Sequence, residues 1–267
     1  YLSLSLHQQL NRVIVDSTIQ LKGIERVSTV NDLIQLSQQY RGLSAANIGN
    51  RGLFSQLKQK KEHETELAFY EFINNLDASI FEKEAIEELR TVWEEIQQNH
   101  NVDSLEDSFA RHTVLIKQLR ELLAVLGDEY KLVTEGVLPS YYMIDMLLNN
   151  MPETTENLGK LRGMIVGVLS KQYLSDSSKL ELIRLEANLK ASTDSFRHNL
   201  TKVMQYSPHL KTKLNLVYLR LSQDRMRVTE LLENDIYSRQ LKTAPYEFWL
   251  EITADIDNLY NLMHAPL

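Results

Sequence analysis

At 267 residues, with 43% apolar and 24% charged residues, the chain is not disordered and is long enough for two cores or one very elongated one. Nine Gly and five Pro are too few for the frequent turns of a strand-rich fold, so long helices are expected. A net charge of −7 excludes an electrostatic coat for nucleic acid, and the absence of Cys excludes a disulfide scaffold, a thiolate metal site and a cysteine nucleophile.

Apolar residues recur at three-and-four spacing from Leu6 through Leu10, Val13, Ser17, Leu21 and Ile24. Only Gly23 interrupts a helix that then keeps its beat through Leu33, Leu36, Tyr40, Leu43 and Asn47. Asn50-Arg-Gly52 reads as a stop and turn. The second helix, about 53–76, is predicted to turn Leu57, Leu67, Tyr70 and Ile73 inward and its Lys/Glu cluster outward. Asp77-Ala-Ser79 caps a third, 80–98, and Asp103-Ser104 a fourth, whose stripe is Leu105, Phe109, His112, Ile116, Leu119, Leu123 and Leu126. Gly136-Val-Leu-Pro139 and Asn149-Asn-Met-Pro152 then punctuate a short segment, 140–148. Beyond it, helices are predicted over 153–171, 177–205, 209–234 and 245–263, with Pro208 and Pro245 in first turns. Lys58-Gln-Lys60-Lys61 and Lys211-Thr-Lys213 read as solvated helix faces. No run is long and apolar enough to span a bilayer, and no signal peptide is recognisable. Starting at Tyr1, the chain reads as an excised domain whose flanks are missing.

The expected fold is therefore all-α: two up-and-down four-helix bundles stacked end to end, formed by residues 29–135 and 136–267. The N-terminal helix, 1–28, would pack with the second bundle. Enzymatic function is not expected. No His follows a Glu at the Glu-x-x-His spacing, and there is no His-Glu-x-x-His, phosphate loop, dinucleotide glycine motif or Gly-x-Ser-x-Gly elbow. No cofactor or metal is implied.

The candidate chemistry lies in a repeated Arg-Gly pair. Arg41-Gly42 and Arg162-Gly163 each place a glycine inside a helical pattern, where it costs roughly 1 kcal/mol relative to Ala. Each arginine follows a seam residue, Tyr40 or Leu161, and so flanks the apolar stripe. One reading projects the guanidinium into the gap between helices, suited to bidentate capture of a carboxylate, nitrate or similar oxyanion. The other has the arginine snorkel past the core edge while the glycine lets helices approach.

The segment Gln39-Tyr-Arg-Gly-Leu-Ser-Ala45, followed by Asn47-Ile-Gly49, resembles the Arg-Gly-Leu-Ser-Ala box of bacterial nitrate- and nitrite-sensing domains. Leu138-Pro-Ser-Tyr-Tyr-Met-Ile-Asp145 through Leu158-Gly-Lys-Leu-Arg-Gly163 resembles periplasmic regions of chemotaxis receptors, sensor kinases and diguanylate cyclases. That resemblance implies stacked helical bundles, an extracytoplasmic sensor that binds a small anionic ligand, and action as a homodimer. Recognition of a periplasmic binding protein is the alternative partner, and a helical scaffold without a sensory role is the other alternative. An anion contact carries over to Arg41, with Gly42 and Ser44 in the same box; Arg162 and Gly163 are assigned on local pattern. Where the family has Glu before its arginine this chain has Tyr40, which bears on nitrate specificity.

Four further positions are secondary candidates. Tyr141, Tyr142 and Asp145 fall at the expected junction between bundles, as a pocket wall or as a plug. Asp224 falls on a heptad seam running Leu210, Leu214, Val217, Leu221, Asp224, Val228, Leu231. It would pair there with an arginine or a ligand amine, but a small slip of phase exposes it, and the slip is the favoured reading. His112 reads as a core histidine, and Trp93 and Trp249 as core anchors.

Overall fold

The computed structural model describes residues 2–49, 54–74, 80–99, 104–132 and 138–264, and every element within them is helical. The α-helices are α1 (Leu2–Gly49), α2 (Ser55–Asn74), α3 (Ile80–Asn99), α4 (Leu105–Glu129), α5 (Leu138–Asp145), α6 (Met151–Lys171), α7 (Asp176–Tyr206), α8 (Lys211–Leu231) and α9 (Pro245–His264). The Asn50-Arg-Gly52 turn, the Asp77-Ala-Ser79 cap, Asp103 and Gly136 lie outside the described residues, as do the side chains of Leu6, Leu10, Val13 and Leu105.

Local chemistry accounts for the boundaries. Ser104 Oγ accepts from Asp107 N at 3.1 Å to start α4, and Ser175 Oγ accepts from Ser178 N at 3.1 Å to start α7. At the end of α6, Gln172 takes a left-handed φ of 50°, and its amide donates to Leu169 O and Leu241 O. Pro245 opens α9, and Pro208 opens a single 3-10 turn that leads into α8, as first-turn prolines should.

Two expectations are corrected. Asn149-Asn-Met-Pro152 is not a break: α5 runs into α6 through a π-helical turn, Met146–Asn150. The wider turn admits Pro152 in the first turn of α6, where a missing N–H is least harmful. Asn150 acts as a buried bonding group there, while Asn149 is exposed. Asn199 on α7 donates to Asn150 Oδ1 at 2.7 Å and to Asp145 Oδ2 at 2.5 Å. The second correction concerns the inner face of α2. Leu57, Leu67 and Tyr70 are exposed, whereas Thr65, Phe69 and Phe72 are buried. Phe69 stacked on Trp93 and Phe72 under the Arg26 guanidinium of α1 fix the helix phase, and three apolar residues are left to solvent. A second π-helical turn, Leu232–Tyr237, carries α8 past its expected end.

Two hydrophobic clusters form. One gathers Val27, Val30, Leu33, Ile34 and Tyr40 of α1 with Phe69, Phe72, Trp93 and the Ile116, Leu119, Leu123, Leu126 stripe of α4. The other joins Leu43 and Ala46 of α1 to apolar residues of α6, α7, α8 and α9. In the first, α1 packs on α2 and α4, and α3 on α4; in the second, α6 packs on α7 and α9, and α8 on both of those. One helix, α1, enters both cores, and its packing on α6 brings them together.

Gly23 marks a close approach rather than an interruption. A Cβ there would stand 2.4 Å from Tyr130 Cβ, so only glycine lets α1 come this near the end of α4.

Candidate functional site

The two arginines of the repeated pair meet at the seam between the cores, and each crosses onto the other's helix. Both are buried, at 1% and 2% exposure. Arg41 leaves α1 to reach α6. Its Nη1 is 2.8 Å from Glu156 Oε1 and its Nη2 2.9 Å from Glu156 Oε2, a bidentate pair. Arg162 leaves α6 to reach α1, where Nη2 donates to Gln38 O at 3.2 Å.

Glycine makes both crossings possible. A Cβ on Gly42 would stand 2.4 Å from Arg162 Nη2, and one on Gly159 would stand 3.1 Å from Arg41 Nη2. Gly163 serves differently, since its Cβ would stand 3.0 Å from Phe109 Cε2.

The reciprocity extends to the last helix of each group. Arg41 donates to Thr113 Oγ1 at 3.1 Å and lies 4.8 Å from the ring centroid of Phe109, both on α4. Arg162 donates to Thr253 Oγ1 at 2.7 Å and lies 5.5 Å from the Trp249 ring, both on α9. In each case the threonine hydroxyl donates in turn to the carbonyl of the aromatic residue one turn earlier. An aromatic residue, three intervening positions and a threonine therefore recur 140 residues apart, beside arginines 121 residues apart.

The electrostatics are not reciprocal. Arg41 has a carboxylate. Burial alone would raise the Glu156 carboxyl, but Arg41 and Lys160, whose Nζ is 3.2 Å from Oε1, hold it below the usual range. Gln38 Nε2 adds a contact to Glu156 Oε2 at 3.3 Å, and Tyr260 and Thr155 close the network at 3.1 Å. Arg162 has no carboxylate within ion-pair distance among the described residues. Desolvation, then the nearby Arg41 charge, pushes its guanidinium down to about 10. The α1 position matching Glu156 at the same offset is the neutral Gln35, which donates instead to Asp257 at 2.9 Å. The seam thus holds Arg41, Arg162 and Lys160 around one buried carboxylate, with Asp257 acting on Arg162 from further off.

The remaining sequence candidates lie elsewhere; Ser44 is buried one turn beyond Tyr40 on α1. Tyr40 fills the first core. It packs edge-on against His112, with ring centroids 4.6 Å apart, and against Trp93 at 6.1 Å. Tyr141 is exposed and stacks edge-on against Tyr142, which faces His198, while Asp145 is tied to Asn149 and Asn199.

Asp224 is buried at 1%, so the heptad phase holds and the slip to solvent does not occur. Its Oδ1 lies 3.0 Å from Arg227 and 3.6 Å from Arg220, and both arginines also bind Asp255 of α9. Desolvation, then the Asp255 charge, pushes the Asp224 carboxyl up to about 7.

Sequence reasoning missed Glu156, Thr113, Thr253 and Gln38. Their only sequence signal is the spaced aromatic-threonine pair on α4 and α9. Compared with family models, with curated proteins and with solved structures, the chain matches none.

Proposed function

We propose that this chain is the periplasmic sensor domain of a bacterial signal-transduction receptor, a chemoreceptor, sensor kinase or diguanylate cyclase, built as two stacked up-and-down four-helix bundles and without catalytic activity. The ligand is a small anion, a carboxylate or a nitrate-like oxyanion, taken up at the arginine seam. One observation carries this reading: a buried guanidinium, Arg162, lacks a carboxylate beside a second one, Arg41, that holds its carboxylate in bidentate geometry. Leaving a buried charge unpaired is costly, and an oxyanion with the geometry of the Glu156 carboxylate would offset it.

The mechanism is a population shift. An anion at Arg162 draws on contacts that bind α1 to α6 and α9, so it favours one relative position of these helices. Small sliding of the terminal helices passes to the output module, and the receptor acts as a homodimer.

A thermal-shift screen against nitrate, nitrite and small carboxylates tests the reading. A saturable rise in melting temperature that is lost in Arg162→Met supports it. The same rise in Arg162→Met, or no rise with any anion, overturns it.

The outer face of α8 supports a second reading. Leu216, Leu219 and Met226 are exposed at helical spacing, as on a surface that receives a periplasmic binding protein. Absence of any anion response together with saturable binding of a periplasmic solute-binding protein would select it.

A further inference from the structure

Between α4 and α7, with α6 as its floor, runs a groove of about 800 Å³, within the range of ligand pockets. The floor carries Gly163 and Gly167, and glycine weakens a helix interior relative to alanine. Phe109 accounts for Gly163, which it touches. Nothing among the described residues accounts for Gly167: a Cβ there would meet no atom of theirs within 4 Å, so the space above it is open. Met164, Leu185 and Phe109 give the groove apolar walls.

Its charges differ from end to end. At the lower end the Lys160 ammonium is already engaged by Glu156. On the wall, Arg184 is engaged by Glu181. At the upper end Lys171 has no ion pair among the described residues, and it stands beside Ser175, which caps the N-terminus of the 31-residue α7. The Lys171 ammonium and the positive end of the α7 dipole lie at this end, where the first turn of α7 also carries Asp176; Glu106 of α4 lines the groove as well. The floor from Lys160 to Lys171 is about 16 Å long at the helical rise per residue.

We propose that this groove binds an amphipathic monocarboxylate, its carboxylate at Lys171 and its apolar body lying over Gly167 against Met164, Leu185 and Phe109. The site is distinct from the arginine seam and stands whether or not an anion enters at Arg162. The two sites are nevertheless in mechanical contact, because Phe109 lies on the face of the Arg41 guanidinium and Thr113, at the lower end, accepts from it. An occupant pressing on Phe109 therefore touches the pair that holds α1 to α6.

Decanoate below its micellar concentration is the probe, titrated calorimetrically into the purified chain, with decyltrimethylammonium and decanol as controls. Decanoate is expected to bind saturably and decyltrimethylammonium at least about tenfold more weakly. Gly167→Leu, which fills open space, should lower decanoate affinity by about tenfold or more while the unliganded chain melts no earlier. Lys171→Glu, at an exposed position, should lower it by about threefold or more and keeps the test intact should Gly167→Leu fail to fold. Absence of decanoate binding, equal binding of the cationic amphiphile, or undiminished affinity in both variants overturns the proposal.

Discussion

Replacing Glu156 by Gln removes one charge from a seam that holds three cations, and its cost can be worked from the structure. The pair it breaks is bidentate at 2.8 and 2.9 Å, with side-chain exposures of 1% for Arg41 and 3% for Glu156, so solvent cannot take over. Glutamine matches glutamate in shape, yet its amide N–H₂ would face an Arg41 N–H, leaving one of the two parallel bonds. Breaking a buried pair by removing one partner costs about 3–5 kcal/mol. For a chain of this size that is a fall in melting temperature of roughly 10 °C. Urea unfolding followed by circular dichroism reads the loss directly, and formate added to Glu156→Ala, which leaves room for it, should restore part of that variant's loss by supplying the missing carboxylate. The pH dependence has a definite sign. Because the Glu156 carboxyl is held below the usual range when folded, its contribution is present above the ordinary carboxylate pKa and is lost only as pH falls through the lowered value. A loss below about 1 kcal/mol in the urea experiment would refute the view that this pair fastens α1 to α6.

Arg41→Met should destabilise more than Arg162→Met, because the first strands Glu156 while the second removes a cation with no carboxylate; about 3–5 against under about 1.5 kcal/mol is expected in denaturant unfolding, and the opposite order would be decisive against the assignment. Gly42→Ala should cost about 1–3 kcal/mol by driving a methyl into Arg162, whereas Gly167→Ala should stabilise by about 0.5–1 kcal/mol, both measurable by thermal unfolding. Asp224, with its folded pKa raised to about 7, stabilises fully below the ordinary aspartate value, and that contribution is lost as pH rises through 7. Asp255 shifts in the same direction, so stability measured across this window should fall with rising pH, and Asp224→Asn should flatten the slope.

The helices were legible because their punctuation is local. Ser104 and Pro245 act within one turn, and the α4 stripe fills a core as its spacing predicts. Three features were not. The π-helical turn at Met146–Asn150 depends on Asn199, a partner on another helix, so the Asn-Asn-Met-Pro run looked like a break. The face of α2 was misplaced because apolar residues occupy more than one face and the partners that select between them, Trp93 on α3 and Arg26 on α1, are distant in sequence. At the seam, position and residue type were legible for both Arg-Gly pairs, but Glu156 lies 115 residues from Arg41, and nothing local to either predicts their pairing. Asp224 followed its heptad into the interior because Arg220 and Arg227, three or four residues to either side, travel with it.

Where residue i of one subunit binds residue j of a second, and j of the first binds i of the second, the contact is isologous, the signature of a two-fold dimer. Arg41 resting on Gly159 and Arg162 donating to the Gln38 carbonyl, positions again 121 residues apart, reproduce that logic inside a single polypeptide. A true homodimer must place identical chemistry on both sides of its axis. A single chain is released from that constraint. Here one half has taken a glutamate as a permanent internal occupant, and the matching position in the other half is a glutamine. The division of labour this allows, one arm locked and its counterpart left chargeable, is closed to any assembly of identical subunits.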